Sequence, residues 1–301
     1  MPKKMNEKQE MHRAGFVNII GKPNVGKSTL MNRMVGEKLS IITSKAQTTR
    51  HRIHGIVNDT DYQVVFSDTP GILDPNYKLQ EYMLKSASSA LRDADIFIYM
   101  VEAGQKPDPE QSFTQKINKS KIPLLLIINK IDLTNQEALE EMTAAWQEAF
   151  PRAEIYPVSA LKNFNTNTIF KRVLSLLPES PPFFPKDMLT DKSERFLVGE
   201  VIREKILLHY KKEVPYSVEI EIESFKEEKK IIRIRAIVYV ERESQKGIII
   251  GHQGSMLKRV GKEARIDLEA FFNKKIYLEL YVKVQNEWRK NEKKLKNFGY
   301  R

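Results

Sequence analysis

Apolar residues in the first 180 positions follow two alternating rhythms. Short runs rich in Val, Ile, Leu and Phe at 15–21, 53–57, 63–68, 96–102, 124–129 and 155–159 have the length and β-branched content of buried strands. Between them the period lengthens to three or four, as at Leu79, Met83, Ala87 and Leu91, and predicts helices over 27–36, 79–91, 111–119, 136–149 and 165–177. This alternation specifies an α/β unit, a mostly parallel sheet with helices on both faces, whose ligands bind beyond the carboxyl ends of the strands. Prolines at 178, 181, 182 and 185 then stop regular structure and predict a stiff linker. Beyond it the order changes to a helix over 193–210 and strands over 216–224 and 231–241, the first alternating cleanly enough to have one dry and one wet face. A short apolar segment at 247–250, a Gly251-His252-Gln253-Gly254 turn, a helix over 255–272, a strand over 275–284 and a basic helix over 286–297 complete an α+β unit. The chain thus divides into a first domain at 1–180, a linker at 181–192 and a second domain at 193–301.

Composition narrows the class. The chain has 301 residues, 41% of them hydrophobic and 30% charged, enough for two cores. Apolar runs such as 124–128 fall far short of the roughly 20 residues that span a bilayer. The charged first ten residues do not resemble a secretory leader, and the absence of cysteine excludes disulfides and thiolate zinc sites, which fits a cytoplasmic protein. Of the net charge of +11, residues 1–180 carry 23 Lys+Arg against 20 Asp+Glu, and the shorter remainder carries 27 against 19. A basic excess confined to one domain points that domain at a polyanion, although a lysine-rich solvated surface has the same composition.

The chemistry of the first domain begins where its first strand runs into Gly21-Lys22-Pro23-Asn24-Val25-Gly26-Lys27-Ser28-Thr29. Glycines at this spacing let the backbone wrap a phosphate so that its N–H groups and the next helix N-terminus face the anion. Lys27 would reach the β- and γ-phosphates and Ser28 would hold Mg²⁺. Asp68-Thr69-Pro70-Gly71 places a Mg²⁺-linked aspartate at a strand end and a glycine N–H that can sense the γ-phosphate. Asn129-Lys130-Ile131-Asp132 selects the base, because a carboxylate accepts from the N1–H and N2–H₂ edge of guanine and adenine offers no such pair. Ser159, Ala160 and Leu161 would supply a backbone N–H to the guanine O6, and Thr48 or Thr49 would reach the metal from a loop. Gly21–Ser28 by itself reads as a phosphate loop, whereas Asp68–Gly71 alone could be a turn, Asn129–Asp132 a helix entry and Thr48-Thr49 an ordinary loop. Together, in order and at strand ends, they specify a P-loop GTPase. Ras-like GTPases place a water-positioning glutamine after the switch glycine. Here that position is Ile72, so slow intrinsic hydrolysis is expected, and Asn24 marks a candidate K⁺ site that would stand in for an arginine finger.

In the second domain, Ile250, Gly251, His252, Gln253 and Gly254, followed by a helix bearing Lys258, Arg259, Lys262 and Arg265, look like the GxxG loop of a KH module of the prokaryotic type. Such a module binds single-stranded nucleic acid and not a DNA duplex. The tail's Arg289, Lys290, Lys293, Lys294 and Lys296 suggest either more phosphate contacts or a membrane-surface contact.

The whole chain resembles the Era GTPases of bacteria. The likeness rests on Gly21–Ser28, Lys45-Ala-Gln-Thr-Thr-Arg-His-Arg52, Asp68–Gly71, Asn129–Asp132, Pro215-Tyr-Ser-Val, Val240-Glu-Arg-Glu-Ser-Gln-Lys246, Ile250–Gly254 and Leu278-Glu-Leu-Tyr-Val-Lys-Val284. It implies a GTP/GDP switch with Mg²⁺ that binds the single-stranded 3′ end of 16S rRNA and assists maturation of the 30S subunit, with peripheral contact at the inner membrane. It also implies catalytic roles for Lys27, Thr49 and Gly71, with Ser28, Thr49 and Asp68 around the metal. His252 and Gln253 are less basic than in many such loops. A monomer is expected. The competing readings are a switch on other RNA, and an RNA-binding adaptor whose GTP is structural.

Overall fold

The computed structural model describes residues 12–108 and 112–300, so the charged N-terminal segment and the first residue of the helix expected over 111–119 lie outside the described residues. The first unit runs β1 (Arg13–Gly21), α1 (Lys27–Val35), β2 (Ile53–Asn58), β3 (Tyr62–Asp68), α2 (Lys78–Ser89), β4 (Ile96–Glu102), α3 (Ser112–Lys119), β5 (Leu124–Asn129), α4 (Gln136–Ala149), β6 (Glu154–Pro157) and α5 (Thr166–Leu176). Its sheet has the order β2-β3-β1-β4-β5-β6, parallel except for β2, which pairs antiparallel with β3. The two-residue period of β4 shows why both faces are covered. Ile96, Ile98 and Met100 join Leu30, Met31, Ile169 and Val173 of α1 and α5, while Phe97, Tyr99 and Val101 join Ile117 of α3, Trp146 of α4 and Phe150 just after it.

The second unit comprises α6 (Glu194–His209), β7 (Glu219–Glu227), β8 (Ile231–Val240), α7 (Glu243–Ile250), α8 (Ser255–Phe272) and β9 (Lys275–Val284). Its sheet has the order β7-β8-β9, with β7 antiparallel and β9 parallel to β8. Val198, Ile202 and Ile206 of α6 and Val260, Ala264 and Leu268 of α8 bury one face of that sheet.

Three expectations are revised. β7 starts three residues late because 214–217 form a 3-10 turn around Pro215, with the Ser217 hydroxyl donating to the Val214 carbonyl at 2.8 Å. The linker is no free spacer. It lies along the edge strand β2, with Ile56 N–H donating to Leu189 O at 2.8 Å and Phe183 N–H to the Gln63 side chain at 2.7 Å, and it covers an edge that would otherwise offer unpaired backbone. The tail is not one amphipathic helix. A 3-10 turn at Trp288–Lys290 precedes a six-residue helix, α9 (Glu292–Asn297), capped by Asn291. Its apolar residues Trp288, Leu295 and Tyr300 are buried with Leu79, Tyr82 and Met83 of α2, so that face is spent on the first domain. Among the described residues no helix is long and apolar enough to cross a membrane.

Candidate functional site

A cavity of about 650 Å³ opens at the carboxyl ends of β1, β3, β4 and β5. The loop after β1 forms its floor, and two glycines there are obligatory. Gly26 begins α1 at φ 104°, and a Cβ on it would stand 2.3 Å from Asn129 Nδ2; one on Gly21 would stand 2.2 Å from the Met100 carbonyl oxygen. Lys27 is buried and its Nζ donates to the carbonyls of Gly21 (3.1 Å) and Lys22 (2.8 Å), spanning the loop from within. Burial pushes the Lys27 ammonium down to about 8, against the opposing pull of Asp68.

Three polar groups from separate elements meet beside this lysine. Ser28 Oγ donates to Asp68 Oδ2 at 2.7 Å, Thr49 Oγ1 donates to the same oxygen at 3.2 Å, and the two hydroxyls are 3.0 Å apart. The Thr48 hydroxyl faces Thr43 and the Lys45 carbonyl instead. Asp68 Oδ1 is buried with no partner, and burial pushes the carboxyl up. One carboxylate with a free oxygen and two hydroxyls fits the partial shell that Mg²⁺ completes with water and phosphate oxygens. Among the described residues no cluster of three or more His, Cys, Asp or Glu could hold a metal.

The far end of the cavity is tied to the loop by one side chain. Asn129 Nδ2 donates to the Val25 carbonyl at 2.8 Å while its Oδ1 accepts from Ala160 N–H at 2.9 Å. Lys130 takes a left-handed conformation at φ 64° and pairs with Glu102, and Asp132 accepts from Ser159 Oγ at 2.5 Å. Thr29 and Leu161 also line the cavity. Gly71 packs so closely on Pro23 that a Cβ would stand 2.6 Å from its backbone, and Asn24, at φ 65°, donates from Nδ2 to the Ser44 carbonyl at 3.0 Å.

Residues 38–52, which carry Thr49, are held by the second domain. Ile42 N–H donates to Glu204 of α6 at 3.1 Å, Lys38 pairs with the same carboxylate at 2.7 Å, and Arg203 donates to the Thr48 carbonyl. Arg50 is buried, donating to the carbonyls of Val218 (2.7 Å) and Tyr216 (3.0 Å) and to Glu219 (3.0 Å). Arg50 belongs to the segment Lys45–Arg52, but no local pattern assigns it a role, because its buried partners Val218 and Glu219 lie 168 and 169 residues away.

The second site is a groove of about 620 Å³ between α8 and the edge strand β9. Gly251 and Gly254, at φ 71° and 76°, flank the exposed His252 and Gln253 at its end, and Ile250 closes α7 just before them. Gly254 and Lys258 line the groove with Leu257, Lys262 and Arg265. Arg259 does not. One helical step from Lys258 turns it aside, where it pairs with Glu263 at 3.1 Å. The 258, 262, 265 spacing was the signal for the three cations that share the groove.

Comparison with known proteins finds relatives of both units. Residues 16–130 match the family described as 50S ribosome-binding GTPase, and 213–289 match the KH domain family. GTPase Era of Alkaliphilus metalliredigens is 46% identical over 292 residues, covering 96% of this chain and 99% of that protein. GTPase Era of Geotalea uraniireducens is 49% identical over 298 residues, covering 98% and 100%. Among solved structures, Era in complex with MgGDPNP and nucleotides 1506–1542 of 16S ribosomal RNA superposes with a TM-score of 0.92 at 38% identity, over 96% of this chain and 99% of that one. A single-residue variant of Aquifex aeolicus Era bound to GDP·AlF₄⁻ gives 0.91 at 38% identity with the same coverage.

Proposed function

Because the chain belongs to the Era GTPase family, we propose that it is a GTP-hydrolysing switch whose second domain binds the single-stranded 3′ end of 16S rRNA and assists assembly of the 30S subunit. The working division is a GTPase domain at 1–180, a linker at 181–192 and a KH domain at 193–301. The observation that carries the reading is the gathering of Lys27, Ser28, Thr49, Asp68, Asn129 and Asp132 around one cavity. In the liganded site Lys27 would leave the Gly21 and Lys22 carbonyls for the β- and γ-phosphates, and Gly71 would offer its N–H to the γ-phosphate. Asp132 would take the guanine edge, with the backbone of Ser159–Leu161 at O6. Ser28, Thr49 and Asp68 would hold Mg²⁺, which when bound neutralises charge developing on the phosphate oxygens. The groove with Gly251–Gly254, Lys258 and its neighbours would take the RNA. Cytoplasmic residence with peripheral inner-membrane contact belongs to the same proposal.

The coupling is tested by steady-state GTP hydrolysis with and without an RNA carrying the 16S 3′ end. A slow rate that rises when this RNA is bound is expected. A rate indifferent to bound RNA would leave GTP a structural role. Since Ile72 cannot orient water, a cation at Asn24 is expected to supply part of the missing stabilisation. Hydrolysis is therefore expected to run faster in K⁺ than in Na⁺ buffer, and equal rates in the two would remove the K⁺ site.

A further inference from the structure

The outer face of the second sheet is covered at Glu219, Ile237 and Tyr239 but open toward Arg233 and Arg235, where the side chains form a ladder that the groove does not account for. Alternation along β8 and β9 sends Arg233, Arg235, Tyr277 and Tyr281 outward while Ile232, Ile234, Ala236 and Ile276 turn into the core. Each arginine lies on a tyrosine ring, the guanidinium of Arg233 5.4 Å from the Tyr277 centroid and that of Arg235 5.6 Å from the Tyr281 centroid. Carboxylates fix the arginines in turn: Arg233 pairs with Glu228 at 3.0 Å, and Arg235 with Glu279 at 3.3 Å and Glu223 at 3.7 Å. The rings are thereby held in place on a rigid sheet, yet each keeps 47% of its surface exposed. Cross-strand pairing alone would stabilise the sheet. It would not require two plates left half bare.

Two further facts give this face an occupant. Lys226 and Lys275, on the same face, make no ion pair among the described residues, so phosphate-seeking charge remains beside the rings. Tyr277 also lines both the groove and a shallow depression of about 250 Å³ on the outer face, shared with Lys226, Arg233, Arg235 and the Glu279 carboxylate that Arg235 neutralises. Because β9 is the edge strand, a chain leaving the groove crosses a single strand to reach that depression.

We propose that the outer face is a second seat for the same single-stranded RNA. Bases beyond the roughly four that a KH groove takes stack on Tyr277 and Tyr281, and their phosphates face Lys226 and Lys275. Stacking is tolerant of sequence because every base has a π-face. The seat therefore lengthens the footprint without adding a base code. The inference rests on the reading of the groove as an RNA site.

Tyr281 is the discriminating residue because it lies outside the groove. Tyr281→Ala and Tyr281→Phe, in the full chain, are titrated into a fluorescently labelled single-stranded hexanucleotide and a single-stranded 14-mer that extends it. A urea unfolding midpoint equal to the parent's verifies the fold of each variant. The alanine variant is expected to bind the 14-mer roughly tenfold more weakly and the hexanucleotide as the parent does, with phenylalanine restoring the 14-mer. Parental affinity of the alanine variant for the 14-mer overturns the second seat, and so does an equal loss on both lengths. Competition by a duplex RNA as strong as that by the 14-mer overturns it as well. A parent that binds neither oligonucleotide overturns the RNA reading of the groove itself, a distinct result.

Discussion

Asp132→Asn is expected to weaken GTP binding by roughly two to three orders of magnitude while raising affinity for xanthosine triphosphate. Asp132 sits in the cavity on a single 3-10 turn, Ile131–Leu133, entered through the left-handed Lys130. Ser159 Oγ, itself buried, holds one of its oxygens at 2.5 Å. A carboxylate so fixed offers two acceptors to the guanine N1–H and N2–H₂. Asparagine keeps one acceptor and turns an N–H₂ toward the exocyclic amine, donor against donor. Losing a charge-assisted pair and leaving a polar group unpaired costs about 3–4 kcal/mol, which is the stated loss. Xanthine carries a carbonyl at that position and accepts from the new amide. Isothermal titration with GTP, XTP and ATP measures all three arms. A variant that still prefers GTP over XTP would remove Asp132 from the base site. A parent that binds ATP equally would do the same for the guanine assignment.

The legible part of this molecule was the part whose physics is local. Strand-to-helix alternation marked the elements of the first domain because its central strands are buried on both faces and its helices turn an apolar stripe to them. The nucleotide motifs were readable because the loop geometry requires glycine at Gly21 and Gly26, where a side chain would collide with Met100 or Asn129. What escaped was set by distant partners. Nothing near Arg50 says that its guanidinium will be buried against Val218 and Glu219, 168 and 169 residues away. Nothing near residues 286–297 says that Trp288 will donate to the Ser217 carbonyl at 2.8 Å and bury itself against α2, which turns an apparent surface helix into a clasp. Prolines did predict a stiff segment after Leu177. Only the exposed backbone of β2, looking for partners, explains why that segment lies down as an edge cover.

Arg50→Ala is expected to cause the largest loss of stability of any single change considered, about 3–5 kcal/mol, because it strips the partner from a buried carboxylate. Arg50 exposes 2% of its surface and Glu219 7%, and after the substitution Glu219 keeps only the Tyr300 hydroxyl, at 2.6 Å. The carbonyls of Val218 and Tyr216 lose their donor as well. Arg50→Lys is expected to rescue little, since one ammonium cannot replace a planar fork that reaches three acceptors at once. Urea unfolding measures the loss, and the fluorescence of Trp288, whose ring lies 5.7 Å from the Arg50 guanidinium carbon, reports the interface itself. The consequence for function follows from one peptide bond. Thr49 precedes Arg50, and its hydroxyl stands 3.2 Å from Asp68 in the candidate Mg²⁺ shell. With Arg50 gone, the backbone that aims Thr49 loses its buried anchor to the second domain and keeps Arg203 at the Gln47 and Thr48 carbonyls, the stacking of His51 on Tyr300, and the contacts of Ile42, Lys38 and Lys45 upstream. GTP binding by Arg50→Ala is therefore expected to need several-fold more Mg²⁺ than the parent, measured at a temperature where both are folded. An unchanged Mg²⁺ requirement alongside the full loss of stability would mean that the first domain aims Thr49 unaided, and that Arg50 only holds the two domains together.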